Sequence, residues 1–211
     1  MRKPVEVLTA AVTMVTVLTS GMCSTVTADG PAPLAQSVQW PGVRTVWQHG
    51  TMYFASAPNA EGLAHAKEQG VTTVINLMTS SENPLLMSST GEKHWFAYAL
   101  EYYFPQLKRW NEAQTAKELG LRYEQIPLDV DHPDPAAVQR FMTIVQEVQA
   151  KQLLVHCDAA GRALTMWAIY LGTAGGLTPQ QALAQAESAG LTHEGLKQFV
   201  LSYLEQAQKA S

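Results

Sequence analysis

The chain has 211 residues, 46% of them hydrophobic, and carries 14 Lys and Arg against 18 Asp and Glu, a net charge of −4 with histidine neutral. That length and apolar content suffice for one domain with a substantial core. The acidic balance argues against a nucleic acid or an anionic membrane surface as the partner.

Met1-Arg2-Lys3 is basic, an apolar but Thr-rich stretch runs from Val7 to Met22, and Val26-Thr27-Ala28 forms a small-residue cleavage pattern. Residues 1–28 therefore read as a signal peptide removed after Ala28, which places the mature chain in the periplasm or outside the cell. Glu6 and the threonines leave too short an apolar run to span a bilayer, so no integral membrane span is expected in the mature chain. Cys23 would suit a lipoprotein, but Met22 puts a bulky residue at the required cleavage site. Loss of this segment removes one of the two cysteines and leaves Cys157 without a disulfide partner, as a free reactive thiol.

The stretch from Asp29 to Gln48 holds Pro31, Pro33 and Pro41, shows no clear period and reads as an extended lead-in to a domain over 49–211. Met52–Ser56 is a strand, Pro58–Gln69 a helix stopped by Gly70, and Val71–Leu77 a β-branched strand. Between Met78 and Asn111 the chain far exceeds the roughly 2 to 6 residues of an ordinary strand-to-helix link. This insertion at 79–110 is polar up to Glu92 and then packs Trp95, Phe96, Tyr98, Tyr102, Tyr103, Phe104 and Trp110 close together. It reads first as an accessory helix burying an aromatic face and otherwise as a lid or pocket wall. A helix ending at Gly120 precedes a strand over Leu121–Leu128. Pro135–Gln149 follows as an amphipathic helix with Val138, Phe141, Met142, Val145 and Val148 on one face. Leu153-Leu154-Val155 is a buried strand and Arg162–Gly175 a buried helix. A helix opening at Thr178-Pro179 and another over Thr192–Gln208 close the chain. The pattern predicts a single α/β domain with a central, mostly parallel sheet flanked by helices. No internal repeat is apparent.

The run Val155-His156-Cys157-Asp158-Ala159-Ala160-Gly161-Arg162 carries the chemistry. A strand ends in a cysteine, and four residues separate it from an arginine at the start of a helix. Backbone N–H groups of such a loop turn inward, the helix N-terminus adds partial positive charge, and the arginine supplies a two-pronged donor. Asp158, Ala159, Ala160, Gly161 and Arg162 would thus form a phosphate-binding loop around Cys157, whose thiolate the same field favours.

Further signatures are Ala55-Ser56-Ala57-Pro58-Asn59-Ala60-Glu61-Gly62-Leu63 leading to Gly70–Leu77, Gly120-Leu121-Arg122-Tyr123 leading to Ile126-Pro127-Leu128, and Trp167 after the loop. With these, the chain over Met52–Leu191 resembles the bacterial dual-specificity-type cysteine phosphatases, in particular the beta-lactamase-hydrolase-like phosphatase group. The resemblance implies a cysteine-phosphatase fold, Cys157 as nucleophile, Arg162 as phosphate clamp and His156 in a supporting role that orients the loop. The acid should lie in Leu128-Asp129-Val130-Asp131-His132-Pro133-Asp134-Pro135. Asp134 precedes a helix-opening proline and suits an N-cap. Asp131 is the choice, since Asp131-His132 before a proline-rich turn is similar to the acid loop of the tensin-homologue lipid phosphatases, with Asp129 in reserve. The chain departs from the group in two places. Ala160 stands where the loop glycine is usual, with glycine displaced to Gly161, and Asp158 puts a carboxylate inside the loop.

His49, His65, His94, His132 and His193 lack metal-ligand spacing, so neither a metal nor any other cofactor is expected. The reading is an exported phosphatase acting on a phosphorylated protein or small phosphoester through a phosphocysteine. A four-residue loop also suits a rhodanese-like sulfurtransferase with a Cys157 persulfide. Asp158 and Ala160 leave open a non-catalytic phosphate- or partner-binding pseudophosphatase.

Overall fold

A computed structural model describes residues 35–79, 111–148 and 152–210. The expected signal peptide at 1–28 and the aromatic cluster from Trp95 to Trp110 lie outside the described residues. Chain order runs β1 (Gln36–Val38), β2 (Val46–His49), β3 (Met52–Ser56), α1 (Ala60–Glu68), β4 (Val71–Asn76), α2 (Glu112–Glu118) and β5 (Arg122–Gln125). It continues with α3 (Pro135–Val148), β6 (Gln152–Cys157), α4 (Gly161–Thr173), α5 (Pro179–Ser188) and α6 (Glu194–Ala210).

The strands form one sheet in the order β1-β2-β3-β6-β4-β5. The pairs β3 with β6, β6 with β4 and β4 with β5 are parallel, while β1 and β2 add an antiparallel edge. This is the expected α/β domain with a mostly parallel sheet. The stretch expected as an extended lead-in contributes, from Ala35 onward, two sheet strands. Beside them Trp40 is buried with its ring 4.6 Å from that of Tyr53, so this edge is secured by aromatic packing that the irregular proline spacing conceals.

Alternation along β6 divides the core in two. Leu153, Val155 and Cys157 face the larger cluster, where Val138, Phe141 and Ile144 of α3 meet Leu164, Trp167 and Ala168 of α4 and apolar residues of α5 and α6. Leu154 faces the smaller cluster, with Leu63 and Ala66 of α1 and Ala116 of α2. Each fully buried Leu, Ile or Phe side chain contributes about 1.5–3 kcal/mol of transfer free energy. The apolar stripe predicted for α3 is the stripe that packs, with Met142 and Val145 at its partly buried margin.

Helix ends follow local chemistry. The Asn59 side chain accepts from Gly62 N at 3.0 Å to start α1, and Gly70, at φ +83°, turns the chain out of that helix in a conformation that penalises a Cβ. Thr178 and Gln181 form a reciprocal capping box at α5 with Pro179 in the first turn. Asp134 accepts from Ala136 N at 2.8 Å at the start of α3, as the sequence suggests for a cap. Among the described residues no helix is long and apolar enough to cross a membrane.

Candidate active site

Parallel pairing brings three strand ends together. Ser56 of β3 lies opposite Cys157 of β6, and Asn76 of β4 lies opposite His156. The carboxyl edge of a parallel sheet is where α/β folds place their ligands. From Cys157, which is buried and free of disulfide, the chain turns at once into α4. The turn is tied to β3: Ala57 N donates to the Asp158 carbonyl at 3.1 Å, and Ala159 bridges to Ser56.

Ala160 makes this turn at φ +72°, the one non-glycine residue with positive φ among those described. It is the N-cap of α4 and offers no side-chain acceptor, whereas Asn59, Asn111 and Thr178 cap α1, α2 and α5. The first turn of α4 therefore keeps its N–H groups for another acceptor. Arg162, also in that first turn, is buried, and its Nη1 donates to the carbonyls of Leu77 at 3.4 Å and Leu128 at 3.3 Å. These carbonyls brace the guanidinium at the ends of β4 and of the segment following β5. A thiol, helix-terminal amides and a guanidinium thus gather at one edge of the sheet. That set can hold an oxyanion beside a sulfur nucleophile.

Asp158 turns away from this set. Its side chain is 66% exposed and stands 3.6 Å from Arg44 Nη2, so the loop carboxylate faces solvent and a second guanidinium. Arg44 was not singled out by sequence reasoning, because its partner lies 114 residues away.

Asp131 sits, exposed, on the loop after Leu128. Its neighbour Asp129 organises that loop, accepting from Asp131 N at 2.8 Å and His132 N at 2.9 Å through the same Oδ1. The Arg162 bond to Leu128 O anchors the loop at the edge where Cys157 lies.

His156 is fully buried on the face of the sheet opposite Cys157, and its Nε2 lies against Oε1 of the buried carboxylate of Glu112. Glu112 Oε2 accepts from Asn76 Nδ2 at 3.1 Å, and the same amide donates to the Tyr123 hydroxyl at 2.9 Å. Asn76 Oδ1 accepts from Met78 N at 2.7 Å. Burial, and next the charge of Glu112, push the Tyr123 hydroxyl well above its ordinary range. Glu112 escaped the sequence reading because a glutamate in the first turn of a short helix looks like an ordinary exposed one.

The family model described as the Swiss Army Knife protein DSP-PTPase phosphatase domain matches residues 45–199. The chain belongs to this phosphatase family. No curated protein matches the phosphatase by sequence. Solved structures share its fold. A DUF442 protein from Shewanella putrefaciens CN-32 superposes with a TM-score of 0.56 at 24% identity, over 79% of this chain and 94% of its own. A P. aeruginosa TpbA variant in complex with pTyr gives 0.56 at 19% identity, over 87% and 100%. PTPMT1 in complex with PI(5)P gives 0.58 at 15% identity, over 77% and 96%. The phosphatase is thus a hydrolase of the dual-specificity type, as the motif around Cys157 implied.

Proposed function

We propose that the protein hydrolyses phosphate monoesters through a phosphocysteine formed on Cys157. One observation carries the reading: Cys157 ends a buried parallel strand directly against the uncapped first turn of α4, which also holds Arg162. The Cys157 thiolate attacks phosphorus and forms the S–P bond as the P–O bond to the leaving group breaks. Amides of residues 158–162 and the Arg162 guanidinium take the equatorial oxygens, and Asp131 gives its proton to the departing oxygen. A water molecule then attacks the phosphocysteine, Asp131 takes a proton from it, and the S–P bond breaks to return the thiolate and release inorganic phosphate.

The substrate class is a phosphorylated protein or small phosphoester, supported by structural relatives solved with pTyr and with a phosphoinositide. Export is part of the proposal, supported by the basic start and apolar stretch before Ala28. Hydrolysis of p-nitrophenyl phosphate by the full chain under reducing conditions tests the chemistry. Activity that is blocked by vanadate and lost in Cys157→Ser, with a large kcat loss in Asp131→Asn, is expected. A Cys157→Ser variant as active as the wild type would overturn the reading, and so would thiosulfate-to-cyanide transfer in place of hydrolysis.

A further inference from the structure

We propose that Asn76 is a positioning residue for Arg162: its side-chain oxygen fixes the peptide unit between Leu77 and Met78, whose carbonyl braces the guanidinium. The inference rests on the proposed role of Arg162 as the phosphate clamp and adds a residue from β4, outside the loop motif.

The Leu77 carbonyl and the Met78 N–H belong to one planar trans peptide, in which they point in opposite directions. Asn76 Oδ1 accepts from that N–H at 2.7 Å, and Arg162 Nη1 donates to that carbonyl at 3.4 Å. The Asn76 side chain, turned back onto its own backbone two residues on, thus sets the direction in which the carbonyl meets the guanidinium. The same carbonyl accepts from Leu128 N at 3.0 Å, and Leu128 O accepts the other bond from Arg162 Nη1 at 3.3 Å. The two carbonyls that receive Nη1 are therefore linked to each other, and rotation of the Leu77–Met78 peptide disturbs both. Both Arg162 bonds are long for N–H···O contacts, which centre at about 2.9–3.0 Å. A small displacement of the peptide is enough to break them.

Asn76 is itself held in the orientation this requires. It is fully buried. A backbone N–H only donates, so the amide atom facing Met78 is the oxygen. The amide nitrogen then donates to Glu112 Oε2 at 3.1 Å and to the Tyr123 hydroxyl at 2.9 Å, which leaves the side chain one orientation. Alternation along β4 puts Ile75 and Leu77 in the larger core and Val74 in the smaller, with Asn76 on the side of Val74. The constraint thus crosses the sheet, from the polar cluster beside α2 to the guanidinium at the start of α4. Two further bonds secure the same short segment: Leu77 N donates to His156 O at 2.9 Å, and Gln125 Nε2 donates to Met78 O at 3.2 Å.

The decisive comparison is Asn76→Ser with Asn76→Ala in the reduced full chain. Both lose the amide donor; only serine keeps a side-chain oxygen that bonds the backbone N–H two residues on. Nitrogen-15 NMR follows solvent exchange of the Arg162 side-chain N–H signals, assigned by their loss in Arg162→Lys. The expected result is exchange about tenfold faster in Asn76→Ala than in wild type, with Asn76→Ser closer to wild type. The same order is expected in kcat/KM for p-nitrophenyl phosphate, lowered about tenfold in Asn76→Ala and largely recovered in Asn76→Ser. A merely structural role would weaken both variants against urea and leave the Arg162 signals of the folded protein unmoved. Wild-type exchange in folded Asn76→Ala, or equal acceleration in the serine and alanine variants, overturns the proposal. Gln125→Ala, at an exposed position, loosens the Met78 end without touching the buried cluster. Faster Arg162 exchange in that variant supports the proposal, and unchanged exchange overturns it even where Asn76→Ala does not fold. Exchange does not depend on turnover. Acceleration in Asn76→Ala with recovery in Asn76→Ser, in a protein that neither hydrolyses phosphoesters nor binds vanadate, would uphold the role of Asn76 and reject the phosphatase mechanism alone.

Discussion

Arg44 meets Asp158 twice: its Nη2 donates to the Asp158 carbonyl at 2.9 Å and stands 3.6 Å from the carboxylate. The loop that carries Cys157 thereby gains a guanidinium from the segment before β2, and its own carboxylate is answered by an opposite charge. Both side chains are largely exposed, so the ion pair contributes at most about 1 kcal/mol to stability. Its consequence belongs to the field around the loop.

That field is open to measurement. Arg44→Ala should raise KM for p-nitrophenyl phosphate about threefold with little change in kcat, because it removes a positive charge near the dianion without touching the proposed reacting groups. Asp158→Ala should lower KM by a similar factor. Steady-state kinetics at low salt and at about 0.5 M salt check the cause, since screening over a Debye length of a few Å should shrink both effects. Equal effects at both salt concentrations would point to lost loop geometry instead.

Ala160 adopts the left-handed region at φ +72° while buried. Glycine there would relieve about 1–2 kcal/mol of backbone strain, but would forfeit about 0.8 kcal/mol of methyl burial and about 0.4–1 kcal/mol through a more flexible unfolded chain. These nearly cancel, so Ala160→Gly should unfold in urea within about 1 kcal/mol of wild type. Ala160→Val, with a β-branched side chain at positive φ, should lose about 2 kcal/mol or more. Unchanged stability in Ala160→Val would show that the turn relaxes out of this conformation.

Tyr123 predicts an alkaline limb. Its hydroxyl is raised above the ordinary value in the folded protein, first by burial and then by Glu112. A folded-state value above the unfolded one gives a contribution that is full below about pH 10 and is lost as pH rises from there through the folded value. Urea unfolding between pH 8 and 11 should show wild-type stability falling more steeply above about pH 10 than that of Tyr123→Phe, which cannot ionise. Below pH 10 the variant should be weaker by about 1 kcal/mol, because Asn76 loses an acceptor. Parallel curves across the range would refute this account of Tyr123.

Much of this protein was legible in contiguous residues, because those signals are local. The apolar run before Cys157, the small residues of the turn and the arginine that follows them are set by strand burial, a tight turn and a helix start, and each needs only its neighbours in the chain. The stripe of α3, the helix start at Thr178-Pro179 and the Asp134 cap were readable for the same reason: helical period and capping act over three or four residues. The sheet order was not local, and with it came everything that crosses between strands. Placement of β6 between β3 and β4 sets Asn76 beside His156 and brings Glu112 and Tyr123 to the same buried polar cluster. The hairpin of β2 and β3 likewise carries Thr45 onto Ser56 at the loop edge, next to which Arg44 reaches Asp158. Nothing in the residues around Glu112 or Arg44 marks them, since burial and charge pairing are properties of the neighbours that tertiary packing supplies. Residue pattern alone marked the strand, turn and helix start around Cys157 as the candidate loop; only the assembled sheet decided which distant charges stand around it, because electrostatic interaction depends on distance in space and on burial.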